Sequence, residues 1–291
     1  MYIVSDRHNS ILKAAALVYP NVAHCICIYH LWNNIKGRFK KNQKQLKGIF
    51  FTMARTYIKA DFDRLMKDIN KIDNRVKEYL FDIGYEKWSI AHAHVYRSML
   101  MTSNIAESLN SANRDARDLP IKKFLKFMTD LVMRWNNEGR QHSKAIFTEL
   151  ENKYNIILRE NHILSDLLLI STLKTLVYSN VHTIYKYICT LLVMGSTHYS
   201  YVVIDETGKR NIVCMREKKC SCLQFQVDDI PCPHAMAVLT YMHMDLQSYC
   251  VLYYTIENFL KVYELPVIPF PDETVWYIPA DMSANIVLPP I

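Results

Sequence analysis

Two hundred and ninety-one residues suffice for one large domain or two modest ones, with a core that needs no disulfide staples. Half of the residues are apolar, 22% are charged, and only six are glycine and ten proline, which excludes a disordered, collagen-like or linker chain. The net charge of +7 is uneven: residues 1–150 carry 25 Lys and Arg against 14 Asp and Glu, whereas residues 151–291 carry 10 against 14, so the first half is the expected polyanion binder.

Tyr2-Ile3-Val4 reads as a buried strand directly followed by Asp6. It begins too close to Met1 to be the first strand of a sheet, so the chain is expected to be the C-terminal portion of a longer fold. The start also lacks the basic residues and long apolar run of a signal peptide, so the eight cysteines are expected as thiols or metal ligands in a reducing compartment. The spacing of Ile11, Leu12, Ala15 and Leu17-Val18 predicts a helix over 10–18 stopped by Pro20, and a second strand follows from Val22 to Tyr29. Cys27 and His30 lie three apart at the expected end of that strand; they are either half of a metal site or ordinary structural residues. Cys25 is expected to be buried.

Residues 31–100 form a predicted helical block, with Phe62, Leu65, Met66, Ile69, Ile72, Val76 and Leu80 on one face. The run Lys36, Arg38, Lys40, Lys41, Lys44 and Lys47 contains no acid and is a candidate phosphate-backbone contact; a solvated helix face is the competing reading. His92 and His94 are expected as ordinary, partly buried histidines. A cap at Ser103-Asn104 opens a helix carrying Glu107, and Pro120 precedes another in which Ile121, Phe124, Leu125, Met128, Leu131, Val132 and Trp135 are expected to form a core stripe.

A long stretch free of formal charge, Tyr187 to Ile204, contains Gly195, Ser196, Thr197, His198 and Ser200, which fit a bilayer poorly, and no membrane span is predicted. Tyr199 to Ile204 and Asn211 to Met215 are expected to pair as a hairpin around Gly208. Next come Cys220-Ser221-Cys222, nine residues, then Cys232-Pro233-His234 at the start of an apolar helical run. Zinc takes four tetrahedral N and S ligands, and two close pairs let a hairpin end and a helix start supply half a site each. Cys189, Cys214 and Cys250 read as small core residues. No glycine-rich phosphate loop and no GxSxG turn is present.

The CxC–x9–CxH segment, with Asp229-Ile230-Pro231-Cys232-Pro233-His234-Ala235 as its second half, resembles the SWIM-type zinc finger, which often carries glycine where this chain has Asp229. Upstream, three blocks resemble the transposases of plant Mutator-like elements and the far-red-response regulators derived from them: Ser5-Asp6-Arg7-His8 with Ile11, then Cys27-Ile28-Tyr29-His30-Leu31-Trp32-Asn33, then Thr102-Ser103-Asn104 through Glu107-Ser108-Leu109-Asn110. The resemblance implies an α+β, mostly helical chain: a partial ribonuclease H-like domain over 1–150 with a helical insertion at about 31–100, a helical connector over 151–194, a ββα SWIM finger over 195–243 and a tail over 244–291.

It further implies a DDE triad in which Asp6 is the second acid and Glu107 the third, while the first has no counterpart. Magnesium or manganese is expected only with a complete catalytic domain. Zinc at Cys220, Cys222, Cys232 and His234, DNA as partner, protein partners for the finger and a nuclear location complete the expectation. A zinc-binding module without turnover, a truncated record of an active transposase and a domesticated transcription regulator all stay open at this level.

Overall fold

The computed structural model describes residues 2–94, 101–146, 148–173, 193–204, 208–275 and 277. Strands β1 (Tyr2–Ser5) and β2 (Ala23–Ile26) pair in parallel, with Val4 opposite Cys25, and helix α1 (Asn9–Val18) makes the crossover between them. His8 caps α1 by accepting the Ser10 amide on Nδ1, and Pro20 lies just beyond its end. None of α1 is buried; Leu17 is 83% exposed and Val18 61%.

Strand β2 ends three residues sooner than the apolar run suggests. Cys27 donates its amide to the Ser5 carbonyl (2.8 Å) and then caps helix α2 (Ile28–Arg38). The helix takes over because Ile28, Leu31, Trp32 and Ile35 recur at helical spacing and all four bury that face.

Helices α2, α3 (Gln43–Arg55), α4 (Lys59–Ile72) and α5 (Asn74–Ile83) form the expected helical block around one apolar core. Phe62, Leu65, Met66, Ile69, Val76 and Leu80 are buried in it, and Ile72 is half-buried. Asp73 sets the break between α4 and α5: its carboxylate accepts the Arg75 amide (3.1 Å) and pairs with the Arg75 guanidinium (2.7 Å). At the centre, fully buried Trp88 stacks on Phe50 with ring centroids 5.6 Å apart and lies 5.7 Å from Phe62. His92 packs edge-on against Phe62, and burial holds its imidazole below the usual pKa; His94, expected to be partly buried, is exposed.

Beyond the block come α6 (Asn104–Ala112) and α7 (Ile121–Ala145), the latter starting directly after Pro120. The expected core stripe of α7 is corrected by the structure: Leu131 is buried, but Ile121 is 78% exposed and Leu125 49%. The reason lies in the length of its cover, because the seven-residue helix that packs on α7 reaches only its C-terminal half. There Gly139 leaves room for the Tyr263 ring, with which any Cβ would collide, and Arg140 donates to the Tyr263 carbonyl.

The second core lies in the C-terminal part. An antiparallel sheet runs in the order β3 (Val193–Gly195), β4 (Ser200–Ile204), β5 (Arg210–Cys214), β6 (Lys219–Cys220), followed by α9 (Gln224–Asp228), α10 (Pro233–Tyr241) and α11 (Ile256–Val262), the helix over α7. The expected hairpin is β4–β5, with Tyr201 opposite Val213 and Gly208 at φ +80° in the connection. Helix α8 (Asn152–Leu173) packs against α10, so Leu158 joins Val203, Val213, Phe225 and Met236 in the core. Cys25 and Cys250 are buried and Cys214 is half-buried, while Cys189 lies outside the described residues.

Because fully buried Trp88 packs against Phe50, Phe62 and Tyr85 at the centre of the block, Trp88→Ala is expected to cost about 3–5 kcal/mol. Denaturant unfolding followed by helix content checks this; a loss under about 1 kcal/mol would show the cluster collapsing around the gap.

Candidate metal centres

Cys220 ends β6, Cys222 sits in the turn after it, Cys232 caps α10 and His234 lies in that helix's first turn, with Pro233 at N1. Their ligand atoms all lie within 4.8 Å of one another. The His234 Nδ1 is 3.8 Å from the Cys220 Sγ and 4.0 Å from the Cys232 Sγ, close to the roughly 3.6 Å between S and N ligands of a tetrahedral zinc ion.

Electrostatics supply the reason for a cation. Thiol protons from Cys220 and Cys232 are donated to Cys222, which therefore sits far below the usual thiol pKa. Cys220 is pushed up to about 12, first by its hydrogen bond to Cys222, and Cys232 is pushed up chiefly by burial. Three thiolates in such a pocket repel one another and are poorly solvated; a divalent ion on the same sulfurs removes both penalties. This donor set fits a structural zinc.

Residues with no metal-ligand chemistry hold the pairs in place. The Gln226 amide bridges both backbone groups of Cys220, donating to its carbonyl (2.9 Å) and accepting from its amide (3.0 Å). The turn before Cys232 is gripped from several sides: buried Asn161 of α8 donates to the Pro231 carbonyl (2.9 Å), the Tyr254 hydroxyl to the Asp228 carbonyl (3.0 Å), and the Val251 amide to the Asp229 carbonyl (3.1 Å). From the helical block, the Tyr57 hydroxyl donates to the Asp228 carboxylate (2.6 Å) across 171 residues of sequence. None of these five residues stands out in the sequence, since a lone Gln, Asn or Tyr has no spacing signature. Asp229, where the finger family often has glycine, adopts φ +55°, the left-handed conformation that glycine enters freely and that aspartate tolerates better than most residues.

A second cluster forms at the other end of the chain. The Cys27 Sγ, His30 Nδ1 and Glu107 carboxylate also lie within 4.8 Å of one another, although Glu107 stands 77 positions after His30. The Ser103 amide donates to the Cys27 Sγ (3.4 Å), and the Ser103 hydroxyl to Glu107 Oε1 (2.8 Å). Burial opposes ionisation of Cys27, yet hydrogen bonds from Ser103 and His30 outweigh it and bring the thiol below its ordinary value. Burial likewise lowers His30, but Cys27, Glu107 and Asp6 outweigh it and raise the imidazole. Asp6 follows β1 in the same cleft, which Arg7, His30, Asn33 and Arg38 also line. The structure thus brings Cys27, His30 and Glu107 together, while Asp6 stays outside this group and shares with it only the cleft that His30 lines.

The basic run spans the end of α2 and the start of α3, where Lys36, Arg38, Lys40, Lys41, Lys44 and Lys47 are all exposed. Arg38 stacks over the Tyr79 ring (5.0 Å), which places a guanidinium on the rim of the Asp6 cleft.

Residues 1–34 match the family model of the MULE transposase domain, and residues 213–243 match that of the SWIM zinc finger. The chain thus carries a segment similar to the MULE transposase domain at its start and a SWIM zinc finger near its end. Asp6, Cys27 and His30 fall within the first matched segment and all four ligands of the Cys3His cluster within the second, whereas Glu107 and its block lie between them. No curated protein and no solved structure gives a significant match to the chain. Among the described residues no helix is long and apolar enough to cross a membrane.

The bond from Tyr57 to Asp228 is open to a direct test. Burial raises the Asp228 carboxyl to about 6 from an ordinary value near 3.8, so the fold disfavours its ionisation, and stability drops as pH rises from about 4 to about 6. The Tyr57 hydroxyl, itself kept protonated chiefly by burial, offsets part of that cost. Tyr57→Phe is therefore expected to lose about 1–3 kcal/mol at pH 7.5 and less at pH 5, where the carboxyl is largely neutral. Denaturant titrations at the two pH values decide this, and equal losses at both would remove the charge from the explanation.

Proposed function

We propose that this chain is a zinc-stabilised, DNA-associated module of Mutator-like transposase descent, and that the 291 residues alone do not cleave DNA. The observation that supports the reading best is the pairing of a largely buried Cys3His cluster at one end with a transposase-type strand, carboxylate and CxxH element at the other. Cys220, Cys222, Cys232 and His234 hold the zinc, whose part is structural: three sulfurs and an imidazole leave no open position for a reacting water. The ribonuclease H-like reading of residues 1–150 rests on the parallel β1–α1–β2 unit that carries Asp6 at the end of β1. The finger over 195–243, the connector before it and the tail after it follow the same reading.

DNA association rests on charge. Six exposed cations run from the end of α2 through the loop after it to the start of α3, and one of them, Arg38, lines the cleft that holds Asp6; a phosphate backbone along this run releases counterions from each side chain it contacts. Such contacts carry no base information, so this part of the affinity is independent of sequence. A nuclear location follows from DNA as partner, and the exposed face of the finger is then left for protein partners.

Cleavage is a different matter. Two-metal phosphoryl transfer needs carboxylates that bridge and clamp both hard cations. Asp6 and Glu107 supply two of the three acids that the family resemblance implies, and the metal-ligating side chains grouped with Glu107 are a thiol and an imidazole, poor partners for magnesium.

One assay on end-labelled duplex tests both parts. The purified chain is expected to bind with an affinity that falls steeply between about 50 and 200 mM salt, to lose most of it when Lys40, Lys41, Lys44 and Lys47 are changed to Glu, and to leave the strands intact with magnesium or manganese. Undiminished binding by the reversed variant would remove the basic run from the account. Metal-dependent nicks abolished by Asp6→Ala or Glu107→Ala would overturn the claim about cleavage.

A further inference from the structure

We infer that Cys27, His30 and Glu107 form a second transition-metal site, one that takes a zinc-class ion rather than magnesium. The inference concerns a site separate from the finger and does not depend on DNA binding. Sequence spacing shows only Cys27 and His30, two ligands on the first turn of α2; the fold adds the third from α6. His30 Nδ1 lies 3.7 Å from Glu107 Oε1, close to the roughly 3.4 Å between N and O ligands of a tetrahedral ion.

The chemistry of the set selects the ion. Thiolate and imidazole are soft or borderline donors suited to zinc or cobalt, whereas magnesium requires six oxygens in a nearly ideal octahedron. Access is graded across the site: Cys27 is completely buried, while the side chains of His30 and Glu107 are 36% and 53% exposed. An ion therefore enters from the Glu107 side and leaves its fourth position towards solvent. Ser103 acts as the supporting partner, with its amide on the sulfur and its hydroxyl on the carboxylate, the kind of outer contact that fixes ligand orientation. The ion also competes with protons for the thiol and the imidazole, so binding releases protons at pH values where these are protonated.

Such an ion ties α6 to the start of α2, which otherwise meet through the Ile28 amide on the Met101 carbonyl (3.1 Å) and the Ser103 contacts. It also occupies Glu107, the carboxylate that the family resemblance makes the third catalytic acid. A soft ion at this point keeps that acid from a hard one.

The test is a titration of the full chain, stripped of metal, with zinc and then with cobalt. Two equivalents are expected, the second adding a thiolate-to-cobalt absorption to that of the finger. Glu107→Gln, on the exposed face of α6, should weaken the second equivalent at least about tenfold and leave the first unchanged. Cys27→Ser should erase the second absorption band; if that variant fails to fold, the Glu107→Gln result decides. Saturation of the wild-type chain at one equivalent overturns the site. So does a second equivalent unaffected by Glu107→Gln, or one that magnesium displaces at equal concentration.

Discussion

The C-terminal half depends on one constraint: three thiols and an imidazole are brought together in a largely buried cluster, where thiolate charge is poorly solvated. Cys220 and Cys232 are buried and Cys222 half-buried, and their mutual hydrogen bonds leave negative charge on one sulfur at the expense of the other two. A divalent ion turns this from a penalty into a cross-link between β6 and the start of α10. The surrounding core is small, with strands of two to five residues and an α10 of nine, so the link stands in for apolar area that these short elements do not provide.

That cross-link requires the turn before Cys232 to arrive in one conformation, and the rest of the molecule is arranged around it. Asn161 reaches it from α8, Val251 and Tyr254 from the segment after α10, and Tyr57 from the helical block. The bond from Tyr57 to Asp228 also joins two apolar cores that are otherwise built from separate parts of the chain. The positive φ of Asp229 gives a physical sense to the family's glycine at this point, since the turn needs a left-handed residue and aspartate supplies one at modest cost.

Features with a short repeat were legible in the sequence. The stripe from Phe62 to Leu80, the hairpin at Gly208 and the two cysteine pairs each carry a fixed spacing, and the structure has the helices, the hairpin and the cluster. Features set by distant partners were not legible. Glu107 reads as a carboxylate on a helix, and only the fold sets it beside Cys27 and His30. The α7 stripe has perfect helical spacing, yet spacing says nothing of how long the covering element is, and α11 is too short to bury it. Strand β2 was overestimated for the opposite reason: an apolar run fits strand and helix alike until the next turn of buried residues decides.

The central claim is that a zinc ion at Cys220, Cys222, Cys232 and His234 holds the C-terminal core together while the helical block stands on its own packing. Amide hydrogen exchange on the full chain, with zinc and after chelation, tests it most directly. Protection over 199–242 is expected to collapse without metal and in Cys232→Ser, while the amides of α3, α4 and α5 keep theirs. Unchanged protection over 199–242 after chelation, or a uniform loss across both cores, would contradict the account.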